Sequence, residues 1–225
     1  LPFWSTTTAL QLVVPWSRAR IYLLILLTLR CLNLLKFIGV YFFKNRILLE
    51  TYIILLKGVN VGGNNRIKMA EFREHLLKKG FKNVKTYIQS GNIVLSHDSF
   101  IDEVKKGVID VLTQDYGYTV SVLVFTLKQF EDILAKCPYN TPENDKKVYF
   151  SFLEETPDAA LLKNFQSISF PDELFEIGEQ CIYLLFQSGY SKANMTNTFI
   201  IKQLKLAAST RNLKTVKKIL ELAKA

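Results

Sequence analysis

The chain has 225 residues, of which 49% are hydrophobic and 22% charged, with a formal net charge of +9. That composition supports a packed core and excludes a disordered or low-complexity chain, and the length suits one domain or two small ones. The three cysteines, Cys31, Cys137 and Cys181, are far apart and form no C-x-x-C pair, which argues against a disulfide framework or a zinc site and for a reducing, cytoplasmic setting.

The charge is unevenly spread. Residues 1–50 hold six basic residues and one acidic, residues 51–191 carry a net −3, and residues 192–225 carry a net +7. A basic end of this kind is either a polyanion-binding surface or a solvated helix face.

Residues 1–48 form a hydrophobic, basic extension with three readings. Ile21–Phe43 is long enough to span a bilayer, but it contains Arg30 and Lys36, each costing about 2.5–3.5 kcal/mol near a helix centre. Arg18 and Arg20 could flank a signal peptide, yet no small-x-small cleavage site follows. The third reading is a start assigned too far upstream: no Met precedes Met69, and Leu49 suits an alternative start codon. A membrane is a partner only if residues 21–43 are expressed.

From Thr51 the elements are regular. TYIILLKG (51–58) reads as a buried strand, residues 58–65 as a loop, and 67–80 as an amphipathic helix stopped by Gly80. Residues 83–89 and 93–96 read as strands of a hairpin around Ser90-Gly91-Asn92. Ser96 to Ser99 supplies a cap for a helix over 100–114, and 118–126 reads as a strand. This β-α-β-β-α-β order is the ferredoxin-like split unit. A helix over 127–137, a turn-rich linker over 137–145 and a strand over 147–155 follow. Then come a short helix opened by Pro157-Asp158, a hairpin around Gly178-Glu179, and helices over 195–204 and 212–223. The second half also alternates strand, helix, strand, strand, helix, a weak repeat of the first in topology. The expected fold is α+β: a ferredoxin-like βαββαβ subdomain over 49–136, then a smaller α+β subdomain over 137–225 with basic C-terminal helices.

Three clusters are candidate ligand sites. The first is the strand-to-helix loop, with Lys57, Asn60, Gly62, Gly63, Asn65 and Lys68. Backbone N–H groups at such a helix start can hold a phosphate, although neither the Walker A nor the dinucleotide spacing is present. The alternative is a tight turn needing positive φ. The second cluster is the hairpin, with Tyr87, Gln89, Ser90 and Asn92; strand alternation puts Tyr87 and Gln89 on one face. The third joins Ser191, Lys192 and Thr196 to Thr210, Arg211, Asn212 and Thr215. It reads either as phosphate-binding or as helix capping on a basic surface, with Arg211 at a helix start. No catalytic residue, cofactor or metal site is identifiable, since neither His75 nor His97 sits in a recognisable activated setting.

The block LKGVNVGGNNRIKMAEFREHLLKKGFKNVKTYIQSGNIVL (56–95), with SKANMTN (191–197) and TRNLKTVKKILEL (210–222), resembles the bacterial family catalogued as domain of unknown function 1697. The resemblance covers essentially all of 51–225 and implies an α+β architecture with ferredoxin-like parts, a start near Leu49 and no known activity. Members are similar in carrying a Trp after the Arg-Asn pair, where this chain has Leu213. The leading functional expectation is binding of a phosphate-bearing ligand, either a nucleotide or single-stranded nucleic acid. The alternatives are docking of an acidic protein partner, or a small-molecule enzyme using Lys57, Asn60 or Ser90.

Overall fold

The computed structural model describes residues 49–63 and 65–225. The N-terminal extension, with its anchor, signal-peptide and start-site readings, lies outside the described residues. Among the described residues no helix is long and apolar enough to cross a membrane.

The first half runs β1 (Glu50–Leu56), α1 (Met69–Lys78), β2 (Lys82–Tyr87), β3 (Asn92–His97), α2 (Ile101–Tyr116), β4 (Val122–Thr126) and α3 (Leu127–Ala135). The second runs β5 (Val148–Leu153), α4 (Ala159–Gln166), β6 (Glu173–Ile177), β7 (Cys181–Phe186), α5 (Asn197–Leu204), β8 (Ala208–Asn212) and α6 (Leu213–Lys224). Each half builds a four-stranded antiparallel sheet. Their orders, β2-β3-β1-β4 and β6-β7-β5-β8, are the same arrangement of corresponding strands. Among the described residues the fold is a topological duplication: βαββαβ and a closing helix, twice.

The unbroken apolar runs of the central strands follow from burial on both faces. In β1, Tyr52, Ile54 and Leu56 pack under α1 and α2, while Ile53 and Leu55 face the other way. In β7, Ile182, Leu184 and Phe186 face α4 and α5, while Cys181, Tyr183 and Leu185 face inward. The inner faces of both sheets close on one shared core with Phe130 of α3 and Leu213, Val216 and Ile219 of α6. Phe130 stacks on Phe152 of β5 with ring centroids 5.1 Å apart, a contact that ties the first closing helix to the second sheet.

One local expectation is corrected. β3 continues through His97, so Ser96 is a strand residue, and α2 starts after Phe100 with no side-chain cap; Asp102 and Glu103 in its first turn answer the helix dipole instead. Residues 208–212, to which the sequence assigned no element, form a strand before the last helix. Their small and polar side chains lack an apolar alternation, and pairing with β5 is what makes them a strand.

Candidate functional site

The connection from β1 to α1 runs from Lys57 to Lys68, far longer than the Glu154–Asp158 connection at the same place in the second half. Left-handed residues shape it: Gly58, Asn60, Gly62, Gly63 and Asn65 all have positive φ, which glycine adopts freely and asparagine tolerates. The Asn60 amide fixes the loop. Its Nδ2 donates to the carbonyls of Ile67 (2.9 Å) and Gln89 (2.8 Å), and its Oδ1 accepts from the Ile67 N–H at 2.9 Å. Asn65 Nδ2 donates to the Gly58 carbonyl at 3.2 Å. The Asn60 and Asn65 amides therefore serve the loop's and hairpin's backbone.

A groove of about 750 Å³ opens between this loop, the start of α1 and the hairpin. Asn60, Gly63, Arg66, Lys68, Glu71, Gln89 and Tyr116 are among its lining residues, as are Met69 and Ala70 of the first helical turn. The first N–H groups of a helix have no intrahelical partner, and among the described residues no side chain caps those of α1, whose N-cap position is Lys68. Lys68 instead pairs with Glu71 at 2.9 Å on the exposed rim. Tyr116, the last residue of α2, brings a hydroxyl that is shielded from solvent and has no hydrogen-bond partner among the described residues. Burial, with the nearby Glu71 and Asp115 carboxylates, raises its pKa, so it stays a proton donor at neutral pH.

The hairpin is tied from the opposite half. Arg211 of β8 pairs with Phe150 of β5, on the sheet face that meets the first half. Its Nε donates to Asn92 Oδ1 at 2.5 Å, and its Nη2 donates to the carbonyls of Ser90 (2.8 Å) and Leu56 (3.1 Å). Nη1 donates to Ser209 Oγ at 3.0 Å and the Thr210 carbonyl at 2.9 Å. All five N–H donors of the guanidinium are thereby used, and every acceptor is neutral. Burial without a facing carboxylate pushes its pKa down to about 10. Asn92, 1% exposed, completes the knot by donating to the Tyr87 carbonyl and Ser90 Oγ, each at 3.0 Å.

The three sequence clusters do not merge. Asn60, Gly63, Lys68 and Gln89 come together at the groove; Gly62 and Asn65 shape its loop, and the Lys57 N–H donates to the Ser121 carbonyl at 3.0 Å. Tyr87 and Gln89 part company because Ile88 has φ +49° and breaks the strand period. Tyr87 instead lines a shallow 390 Å³ groove with Lys214, Lys217 and Lys218. Ser191 and Lys192 lie in an exposed 3₁₀ turn, and Thr196 caps α5. Thr210 Oγ1 donates to Asn197 Oδ1 at 3.0 Å, while Asn212 Oδ1 accepts from the Thr215 N–H at 2.8 Å and so caps α6. Arg211 sits in a strand, its side chain turned between the sheets rather than toward a helix start. Leu213 is fully buried, so the departure from the family's Trp falls in the core and not on a ligand surface.

A model of the family described as "Protein of unknown function (DUF1697)" matches residues 49–183. The chain belongs to this family. The solved structure of conserved bacterial protein SP0830 from Streptococcus pneumoniae is similar to it, with a TM-score of 0.66 and 25% identity over 78% of this chain and 99% of that one. No curated protein matches it in sequence. What the sequence did not signal in this DUF1697 chain is Tyr116, which reaches the groove from the far end of another helix; its place just before the helix-ending Gly117 was the one available cue.

Proposed function

We propose that this DUF1697 protein is a cytoplasmic binding protein for a small phosphate-bearing ligand, held in the groove at the start of α1. The contrast between the duplicated halves carries the reading. In the second half the corresponding helix, α4, begins under the Asp158 carboxylate, whose Oδ1 accepts from the N–H groups of Ala160 (2.9 Å) and Leu161 (3.2 Å). In the first half, among the described residues, no side chain accepts from the first N–H groups of α1: the helix starts at Lys68 beneath a lengthened glycine loop, and the Glu71 carboxylate of its first turn pairs with Lys68 instead of capping. A helix N-terminus without its own acceptor favours an anion from outside. Arg66 adds a cation, and the unpartnered Tyr116 hydroxyl adds a donor.

A small ligand fits better than a long polyanion. Three of the eight cations of the basic tail are paired with carboxylates and Arg211 is buried: Lys217 pairs with Asp145 (3.0 Å), Lys218 with Glu221 of the tail itself (2.8 Å) and Lys224 with Glu131 (2.7 Å). The test is calorimetric titration of the purified chain with inorganic phosphate, pyrophosphate and nucleoside 5′-phosphates. Saturable binding that weakens tenfold or more in Arg66→Ala is the expected result, since charge-assisted hydrogen bonds contribute about 1.5–3 kcal/mol. Absence of saturable binding, or equal binding by Arg66→Ala, would overturn the proposal.

A further inference from the structure

We infer that Arg211 is a positioning residue for the groove, so that the second half of the chain sets the binding competence of a site whose described lining residues all lie in the first. The inference rests on the groove being the ligand site. Its basis is a continuous run of hydrogen bonds. Arg211 holds the Ser90 carbonyl and the Asn92 amide. The adjacent Gln89 carbonyl accepts from Asn60, and Asn60 in turn bonds Ile67 through both its amide N and O. Ile67 lies two residues before α1, whose first N–H groups open into the groove.

Each joint has little freedom. Gly91 packs against the end of β1, with its carbonyl accepting from the Leu56 N–H at 2.8 Å. Ile88, a β-branched residue, is held at φ +49° while half exposed, a conformation that persists only where the surroundings impose it. The Arg211 bonds hold Ser90 and Asn92, two and four residues further along the same hairpin, from the other sheet. A lysine at 211 keeps a positive charge but has three donors on one atom, and cannot reproduce five bonds spread over a planar fork.

The experiment compares the unaltered full chain with Arg211→Lys, and with Phe165→Leu, a control that loosens the outer core of the second half away from the clamp. Two quantities are read: pyrophosphate affinity and hydrogen exchange of the Ile67 amide, which does not touch Arg211. Arg211→Lys is expected to weaken pyrophosphate about tenfold and to speed Ile67 exchange at least tenfold, with Phe165→Leu changing neither beyond twofold. If both variants lose thermal stability while affinity and Ile67 exchange stay at control values, Arg211 is only a structural clamp and the inference fails. If the unaltered chain binds no pyrophosphate, the groove reading fails, and the Ile67 exchange comparison alone decides whether the clamp reaches the loop. Should Arg211→Lys not fold, the Arg211 Nε–H resonance of the unaltered chain decides: it shifts on saturation with pyrophosphate if the coupling exists and stays fixed if it does not.

Discussion

Gly91→Ala is the sharpest perturbation of the frame that holds the groove. Gly91 has φ +74°, and a Cβ there would stand 2.6 Å from Val59 Cγ2 and 2.7 Å from Leu56 Cβ. The left-handed backbone alone costs an L-residue about 1–2 kcal/mol. Both neighbours are buried, at 1% exposure each, so the added methyl must overpack a finished core at a further cost of about 1–3 kcal/mol. The expected loss is therefore about 2–5 kcal/mol, a large share of a total stability of roughly 5–15 kcal/mol. Gly117→Ala is the matched control: its φ is +69°, but nothing lies within 4 Å of its Cβ, leaving about 1–2 kcal/mol. Urea unfolding followed by far-UV circular dichroism measures both. Equal losses in the two variants would refute the claim that the hairpin is pressed against the end of β1.

Other expectations follow from the same geometry. Ile88→Asn should stabilise the fold by about 1 kcal/mol, because asparagine tolerates the left-handed region that a β-branched side chain resists; thermal unfolding checks it, and a destabilised variant would show that the Ile88 side chain makes contacts outweighing its strain. Glu71→Gln removes the one carboxylate among the described residues that line the groove and should tighten phosphate binding about two- to fivefold, the size of a surface charge effect at a helix start. Calorimetry on the variant would read a weakened affinity as evidence against an anion at that position. Tyr52 donates to the Ser99 carbonyl at 2.7 Å, and burial raises its pKa from the ordinary 10.0 to about 12. The folded state then keeps a proton that the unfolded chain loses, so stability falls as pH rises from about 10 to 12. Tyr52→Phe should flatten that fall in urea titrations at alkaline pH, and an unchanged slope would remove Tyr52 as its cause.

Much of the fold was legible because its signals are local. Periodicity and punctuation placed the strand 51–58, the helix closed by Gly80 and the hairpin at Ser90-Gly91-Asn92 within a few residues of the observed elements. β8 was illegible because ASTRN has neither alternation nor β-branched runs; its strand state comes from pairing with β5. The site was half legible. Glycines and asparagines marked the loop, but a list of residues does not show whether an amide faces a ligand or the protein itself, and here Asn60 and Asn65 bond the backbone while Asn92 bonds the Tyr87 carbonyl, Ser90 and Arg211. Arg211 looked like a free cation because its acceptors at Leu56, Ser90 and Asn92 lie more than a hundred residues away in sequence. The sequence left the basic tail as either a polyanion surface or a solvated helix face, and could not show that Lys217 and Lys224 meet the distant carboxylates Asp145 and Glu131.

The most direct test of the central claim is an amide NMR titration of the ¹⁵N-labelled chain with pyrophosphate. The account predicts saturable shifts centred on Gly63, Met69, Ala70 and Gln89, with Tyr116 moving alongside them. Shifts confined to Lys214, Lys217 and Lys218 on α6, or none at all, would contradict it.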